Sequence, residues 1–268
     1  LLGVRLPQKP GRLRIMLALL RTRLDLAGKR PEDLVNLPQM TDPYKLAAMR
    51  ILSSVGTASY FAFPELLALM VLKTINLSVR HGHAPESAFG YAGYGLILCG
   101  VVGDLESGYQ YGQLALGLLE KLKARELEAR TVMVVYDFIV HWKEHIRETL
   151  GPLQKAYQSG LETGDLQFAA LCGHVYSYHR YWSGAGLAGL EREMAFYSEA
   201  MGQFRQEAAL HLHEIFRQAV LNLLGRAAAG VCQLIGESYD ERRMLPIHRQ
   251  AKDRSAIFNV HFNKMTLC

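Results

Sequence analysis

Apolar residues recur at i, i+3, i+4 and i+7 along most of this 268-residue chain, the period of helices with one buried face. Strand signals are scarce: no Asn-Gly or Asp-Gly turn separates alternating runs, and β-branched residues rarely cluster. The runs are broken by HGHAPES, GDL, SGAG and GESYD, where Gly serves as a helix stop and Asp, Ser or Glu as a start. Aligning the runs exposes a period. One set comprises AFGYAGYGLILCGVV, ARTVMVVYDFIVHW, FAALCGHVYSYHRYW, LHLHEIFRQAVLNLL and SAIFNVHFNKMTL, and its members start about 40 residues apart. A second set lies between them: ESGYQYGQLALGLLEKL, RETLGPLQKAYQSGL and LAGLEREMAFYSEAM. In it Ala115-Leu116, Ala156-Tyr157 and Ala195-Phe196 hold matching places, at spacings of 41 and 39. Gly103-Asp104-Leu105 and Gly164-Asp165-Leu166 repeat too, each with a small residue five after the Gly, Gly108 and Ala169. Two helices per repeat predict an all-α protein, a right-handed α-solenoid of roughly eleven or twelve helices.

The repeat unit resembles a tetratricopeptide repeat, since ESGYQYGQLALGL sets a small residue, an aromatic and Ala-Leu at nearly the right places. It is longer than that repeat's usual length of about 34 residues. The expected boundaries are a linker and first helix over 1–40 and the solenoid over 41–268, truncated at its C-terminal end.

FGYAGYGLILCGVVGD (Phe89 to Asp104) holds five glycines in sixteen residues. It is no P-loop, lacking the Lys and hydroxyl of GxxxxGK[ST], and GYAGYG has the wrong order for a dinucleotide fingerprint. Gly90, Gly93, Gly95 and Gly100 are expected to let one helix lie tight against its neighbours. Each costs about 1 kcal/mol of helix propensity relative to Ala, so the helix should be deeply buried. Ile51 to Leu72 carries one charge, Glu65, and is long enough to span a bilayer. Pro64-Glu65 in its middle reads instead as a helix start, giving two buried helices broken near Phe63 and no membrane span.

Catalytic, cofactor-binding and metal residues are all expected to be absent. HWKEH puts His141 and His145 at i, i+4 without the Glu of HExxH, and His211 and His213 at i, i+2 point apart on a helix. HEIFRQ imitates a histidine kinase's phospho-acceptor box but has Gln218 where that box needs Pro. QAVLNLLGRA imitates the kinase's Asn box but has Arg226 where the second Asn belongs. HRD, DFG and GxSxG do not occur. Aromatics are enriched at Tyr91, Tyr94, Tyr109, Tyr111, Tyr176, Tyr178, Tyr181 and Trp182. As a set they read as core and the individual members are not sorted; where solenoid aromatics serve instead as binding anchors, the candidate interaction surface is Tyr94, Tyr109, Tyr111, Tyr178, Tyr181 and Trp182.

Half the residues are hydrophobic and 21% are charged, which excludes disorder. Cys99, Cys172, Cys232 and Cys268 lie far apart, which predicts free thiols in a reducing compartment. No secretory signal opens the chain, so the NLS at Asn76 is not expected to be glycosylated. The net charge is +5 and the pI about 9.0. The excess sits at the ends, at Lys9, Arg12, Arg14, Arg21, Arg23, Lys29 and Arg30 early, and at Arg242, Arg243, Arg249, Lys252 and Arg254 late. With acids interspersed, these read as solvated helix faces rather than a nucleic-acid site. The first residue is not Met and the last falls inside an apolar pattern, so a piece of a longer polypeptide is expected.

LGVRLPQKP, RPEDLVNLPQMTDPYKLAAMRIL, FGYAGYGLILCGVVGDLESGYQYGQLAL, FIVHWKEHIRETLGPLQKAYQSGLETGDLQFA and IGESYDERRMLP resemble, over essentially the whole chain, the helical-repeat region of large bacterial multi-sensor signalling kinases. The resemblance implies a parent with a Ser/Thr-kinase-like domain, a P-loop NTPase of the STAND/AAA type, this repeat, GAF or PAS sensors and a histidine kinase. ATP-Mg would belong to the parent, with no cofactor in this piece. It implies a cytoplasmic, non-catalytic regulatory scaffold that couples the ATPase module to the sensor and kinase modules. Its partners would be those NTPase and kinase domains in cis and a protein or peptide in trans. The alternatives are a small-molecule sensor pocket between helices and the helical arm of a transcription regulator.

Overall fold

The computed structural model describes residues 6, 7 and 10–268. Of the stretch LGVRLPQKP, residues 2–5, Gln8 and Lys9 lie outside them. Among the described residues there are thirteen α-helices and no β-strand. The chain divides into two compact units, the first ending at Glu144 and the second starting at His145.

The first unit contains α1 (Arg12–Leu26), α2 (Pro31–Leu34), α3 (Pro43–Ala62), α4 (Pro64–His81), α5 (Ser87–Ile97), α6 (Leu105–Leu122) and α7 (Glu128–Phe138). Local chemistry sets several starts. The Asp42 carboxylate accepts from the amides of Tyr44 and Lys45 at 2.8 and 3.2 Å, with Pro43 in the first helical turn. The apolar stretch 51–72 breaks at Phe63, and Pro64 starts α4. No helix among the described residues is long and apolar enough to cross a membrane. Gly103 adopts φ +81°, and Asp104 then caps α6 by accepting from Ser107 N at 3.0 Å. The second GDL repeats the junction, with Gly164 at φ +79° before α9.

The N-terminal segment packs beyond its sequence neighbours. Asp25 on α1 accepts from the Arg80 guanidinium of α4 at 2.8 and 3.0 Å. Lys121 of α6 donates to the Val35 carbonyl just after α2 at 2.8 Å. The buried His83 ring donates to the Leu34 carbonyl at 2.8 Å. Contacts at this end are therefore not confined to successive helices.

Helix α5 is deeply buried, as its glycines predict: Ala88, Tyr91 and Ala92 have no exposed surface. A Cβ on Gly93 would lie 2.8 Å from Val71 on α4. One on Gly95 would lie 2.7 Å from Ile139 and 2.8 Å from the Gly108 carbonyl of α6. Gly100 does not share this role. It is exposed in the wider π-helical turn Leu98–Val102, with nothing within 4 Å of its Cβ position. The run expected to stay helical through Trp142 ends at Phe138. Ile139 leaves helical geometry (φ −124°, ψ −56°) and fills the slot left by Gly95 and Gly112. His141 falls in a 3-10 turn and His145 precedes another, so they share no helix face.

The second unit contains α8 (Leu150–Thr163), α9 (Leu166–Trp182), α10 (Leu187–Gln203), α11 (Glu207–Leu223), α12 (Glu241–Ala251) and α13 (Arg254–Leu267). Successive helices pack in pairs, and α9, α11 and α13 also pack on one another in turn, α9 on α11 and α11 on α13. Gly173 admits the Tyr197 ring, which would lie 2.7 Å from a Cβ there. Residues 224–240 form a loop held from below by two buried amides. Gln218 Oε1 accepts from the amides of Ser238 and Tyr239 at 2.9 and 3.1 Å, and its Nε2 donates to Asn222 Oδ1 at 2.8 Å. Asn222 donates to the carbonyls of Val231 and Gln233. The supposed Asn box is thus a loop anchor. Arg217, largely buried, adds ion pairs to Glu191 at 3.0 Å and to Glu237 in the loop at 3.3 Å.

The cysteine expectation needs correction. Cys99 and Cys172 are buried free thiols, but Cys232 and Cys268 form a disulfide with Cα atoms 5.5 Å apart. The loop carries Cys232 back to the end of α13, so 36 residues of sequence separation closes to bonding range.

Candidate functional site

The six aromatics singled out from the sequence divide between two environments. In the first unit Tyr94 and Tyr111 are 2% and 7% exposed, so they are core and not interaction surface. Their rings meet edge to face at 4.8 Å, and Tyr91 stacks on Tyr111 at 6.0 Å. Both faces of α5 are covered, which leaves no side on which Tyr94 could surface. One edge of this cluster lines a small cleft of about 260 Å³, together with Arg23, Asp104 and Ser107. Burial pushes the Tyr94 hydroxyl above its usual pKa, while Arg23 pulls it down. Tyr109 is half-buried, and its hydroxyl donates to Glu144. That bond, with burial, pushes its pKa up to about 12.

In the second unit α9 delivers Tyr178, Tyr181 and Trp182 to the end of the helix. Ser183 closes α9 by donating to the Arg180 carbonyl at 2.9 Å, and its own carbonyl accepts from Arg147 at 2.8 Å. Gly184 then turns the chain at φ +80°. Trp182 is thereby fixed as the last helical residue with its ring 42% exposed. The Tyr181 ring meets it edge-on at 4.8 Å, and Phe262 of α13 lies 5.7 Å away on a tilt. Phe258, one turn before Phe262, stacks on it at 5.7 Å and is 64% exposed. The result is one run of rings, Tyr181–Trp182–Phe262–Phe258, crossing from α9 to α13.

The run is set on a rigid floor. Ala256 and Val260 bury the opposite face of α13 among Leu212, Ile215 and Ala219 of α11. Asp253 fixes the helix start by accepting from Ala256 N at 3.0 Å. Beneath Tyr181, Tyr178 stacks on Phe216 at 5.3 Å within a cluster of Leu190, Met194 and Val220. Three buried histidines complete this floor. His179 Nδ1 shares a 2.7 Å hydrogen bond with the Thr149 hydroxyl, and His213 Nε2 donates to the Met194 carbonyl at 2.9 Å. His174 lies between them, its ring 5.9 Å from His213. Burial pushes His174 well below the ordinary histidine pKa and His213 down to about 4. Both are neutral at pH 7. His211, two residues before His213, turns away to meet His248.

What this arrangement offers chemically is contact area. Exposed rings on two packed helices present apolar surface with little conformational freedom to lose, the property of a binding anchor. Among the described residues, no group of three or more His, Cys, Asp or Glu side chains could hold a metal ion. Sequence reasoning placed Phe258 and Phe262 among the apolar positions of the last run but not in the site. Their signal was two phenylalanines at i, i+4, which a helix brings onto one face.

No family model and no solved structure matches the chain. Over 188 residues, 69% of its length, it is 22% identical to hybrid signal transduction histidine kinase G of Dictyostelium discoideum, and it spans about 6% of that protein's length. That organism is not a bacterium, so the bacterial part of the expectation gains nothing from it. The chain is distantly similar to a short stretch of a signalling histidine kinase.

Proposed function

We propose that this chain is a non-catalytic interaction scaffold within a larger signal-transduction protein. Its paired helices continue as a tetratricopeptide-like right-handed solenoid, and it links flanking ATPase, sensor and kinase modules in the cytoplasm. The observation that carries the reading is the exposed aromatic run Tyr181–Trp182–Phe262–Phe258 on a packed helical floor. The distant likeness to a signalling histidine kinase supports the setting. A flanking module that covers the run in one of its states and not in another shifts the balance between those states by the difference in contact energy. ATP and Mg²⁺ act in those modules, not here. A small-molecule sensor remains the second reading because of the cleft beside Tyr94 and Tyr111. At about 260 Å³ it falls below the roughly 300–1,000 Å³ of ordinary ligand pockets.

The test is co-purification of this chain with the flanking modules of its parent, expressed separately. Trp182→Ser with Phe258→Ser should abolish capture. Phe196→Ser, an equally exposed ring on α10 away from the run, should leave it unchanged. Equal capture by all three proteins refutes the proposal.

A further inference from the structure

Helix α1 has two apolar faces, and only one is covered. Thr22 and Leu26 are buried against the body of the unit, where α1 packs on α4. Leu13, Leu17, Leu20 and Leu24 are each half or more exposed. Their spacing is four, three, four, which is the seam of a coiled coil: with Leu13 at d, Leu17 falls at a, Leu20 at d and Leu24 at a. Met16, also exposed, borders the seam at g. The flanks are equally regular. Arg14 and Arg21 both occupy e and Arg23 occupies the second g, and all three are exposed. An apolar seam of this width, with charge at e and g, is narrower than the broad apolar face of an interfacial membrane helix.

We infer that the exposed seam of α1 is the docking face for an acidic amphipathic helix, one with leucine-like residues at a and d and Glu or Asp at e and g. Three arginines bordering one seam fix the sign of the partner, because e and g charges select between helices. They also disfavour a second copy of this chain, which would bring arginines against arginines. Packing on α4 holds α1 helical in advance, so docking carries no helix-ordering cost on this side. The inference is independent of the aromatic run, which lies in the other unit.

The experiment uses the 268-residue chain and two labelled 21-residue peptides with identical Leu seams, one with Glu and one with Lys at every e and g position. Binding is read by fluorescence anisotropy at about 50 mM salt, where charge pairs are weakly screened. The Glu peptide should bind about tenfold more tightly than the Lys peptide, the sum of three e/g pairs, and the gap should close as salt rises. Arg14→Glu with Arg21→Glu should reverse the preference. Leu17→Ala with Leu20→Ala should abolish binding of both peptides without lowering Tm, since neither side chain is buried. Equal affinity for the two peptides, or binding of neither, overturns the inference. So does recruitment to phosphatidylserine vesicles without peptide binding, which would make α1 a lipid contact. Self-association lost on Leu17→Glu overturns it too, by making the seam a contact between copies.

Discussion

Replacing Gly95 by alanine pits helix propensity against packing at a point where the structure says which prevails. In an isolated helix the change is favourable by roughly 1 kcal/mol. Here the added carbon would sit 2.7 Å from Ile139 Cδ1 and 2.8 Å from the Gly108 carbonyl oxygen. The carbonyl is backbone of α6 and cannot rotate aside. Ile139 is fully buried and also fills the slot over Gly112, 3.1 Å from a Cβ there, so it has nowhere to go. Relief requires α5 and α6 to separate, and overpacking of this kind costs about 1–3 kcal/mol. Gly95→Ala should therefore fail to stabilise the first unit and should cost it up to about 2 kcal/mol after the propensity gain. Gly117→Ala, in α6 with nothing within 4 Å, should stabilise by about 0.5–1 kcal/mol. Urea unfolding followed by circular dichroism reads both. A Gly95→Ala protein stabilised as much as the Gly117→Ala protein would refute the close-approach reading of the glycine cluster, as would an equal loss from Gly117→Ala.

The buried histidines make the second unit acid-sensitive. His213 titrates near 4 when folded against 6.5 ordinarily, so the unfolded chain binds the proton first. Stability is then constant above pH 6.5 and falls between 6.5 and 4, by about 3 kcal/mol for this residue, with His174 adding in the same direction. Thermal melts across that range should show the loss, and His213→Gln should flatten it; a parent Tm independent of pH there contradicts the burial account. Gln218→Ala strands the amides of Ser238 and Tyr239 and should cost about 2–4 kcal/mol. It should also release loop 224–240, read as faster tryptic cleavage at Arg226; unchanged cleavage would mean that the loop is held by other contacts.

The legible parts of this fold were those decided within a few residues. Phe63-Pro64 and the two Gly-Asp-Leu junctions start and stop helices by caps and fixed dihedrals, and these could be read in advance. What could not be read depended on partners distant in sequence. Nothing local ends α7 at Phe138; Ile139 leaves the helix to fill a slot made by glycines about 27 and 44 residues earlier. Only the GESYD end of loop 224–240 reads as a break in the sequence, and the rest is held by two amides that looked like a kinase motif. The aromatics were visible as a set but could not be sorted. Tyr94 and Trp182 both sit in helical runs rich in aromatics, and the packing of neighbouring helices around Tyr94 is what separates the core ring from the exposed one. The seam on α1 escaped because its two apolar faces blur into one run when read as composition.

The most direct test of the central claim is hydroxyl-radical footprinting of Trp182 and Phe258 in the isolated chain and in its full-length parent. If the chain works as a scaffold through its aromatic run, both residues are oxidised readily in isolation and are protected severalfold in at least one nucleotide or signal state of the parent. Oxidation at the same rate in the isolated chain and in every state of the parent would show that nothing docks on these rings, and would contradict the account.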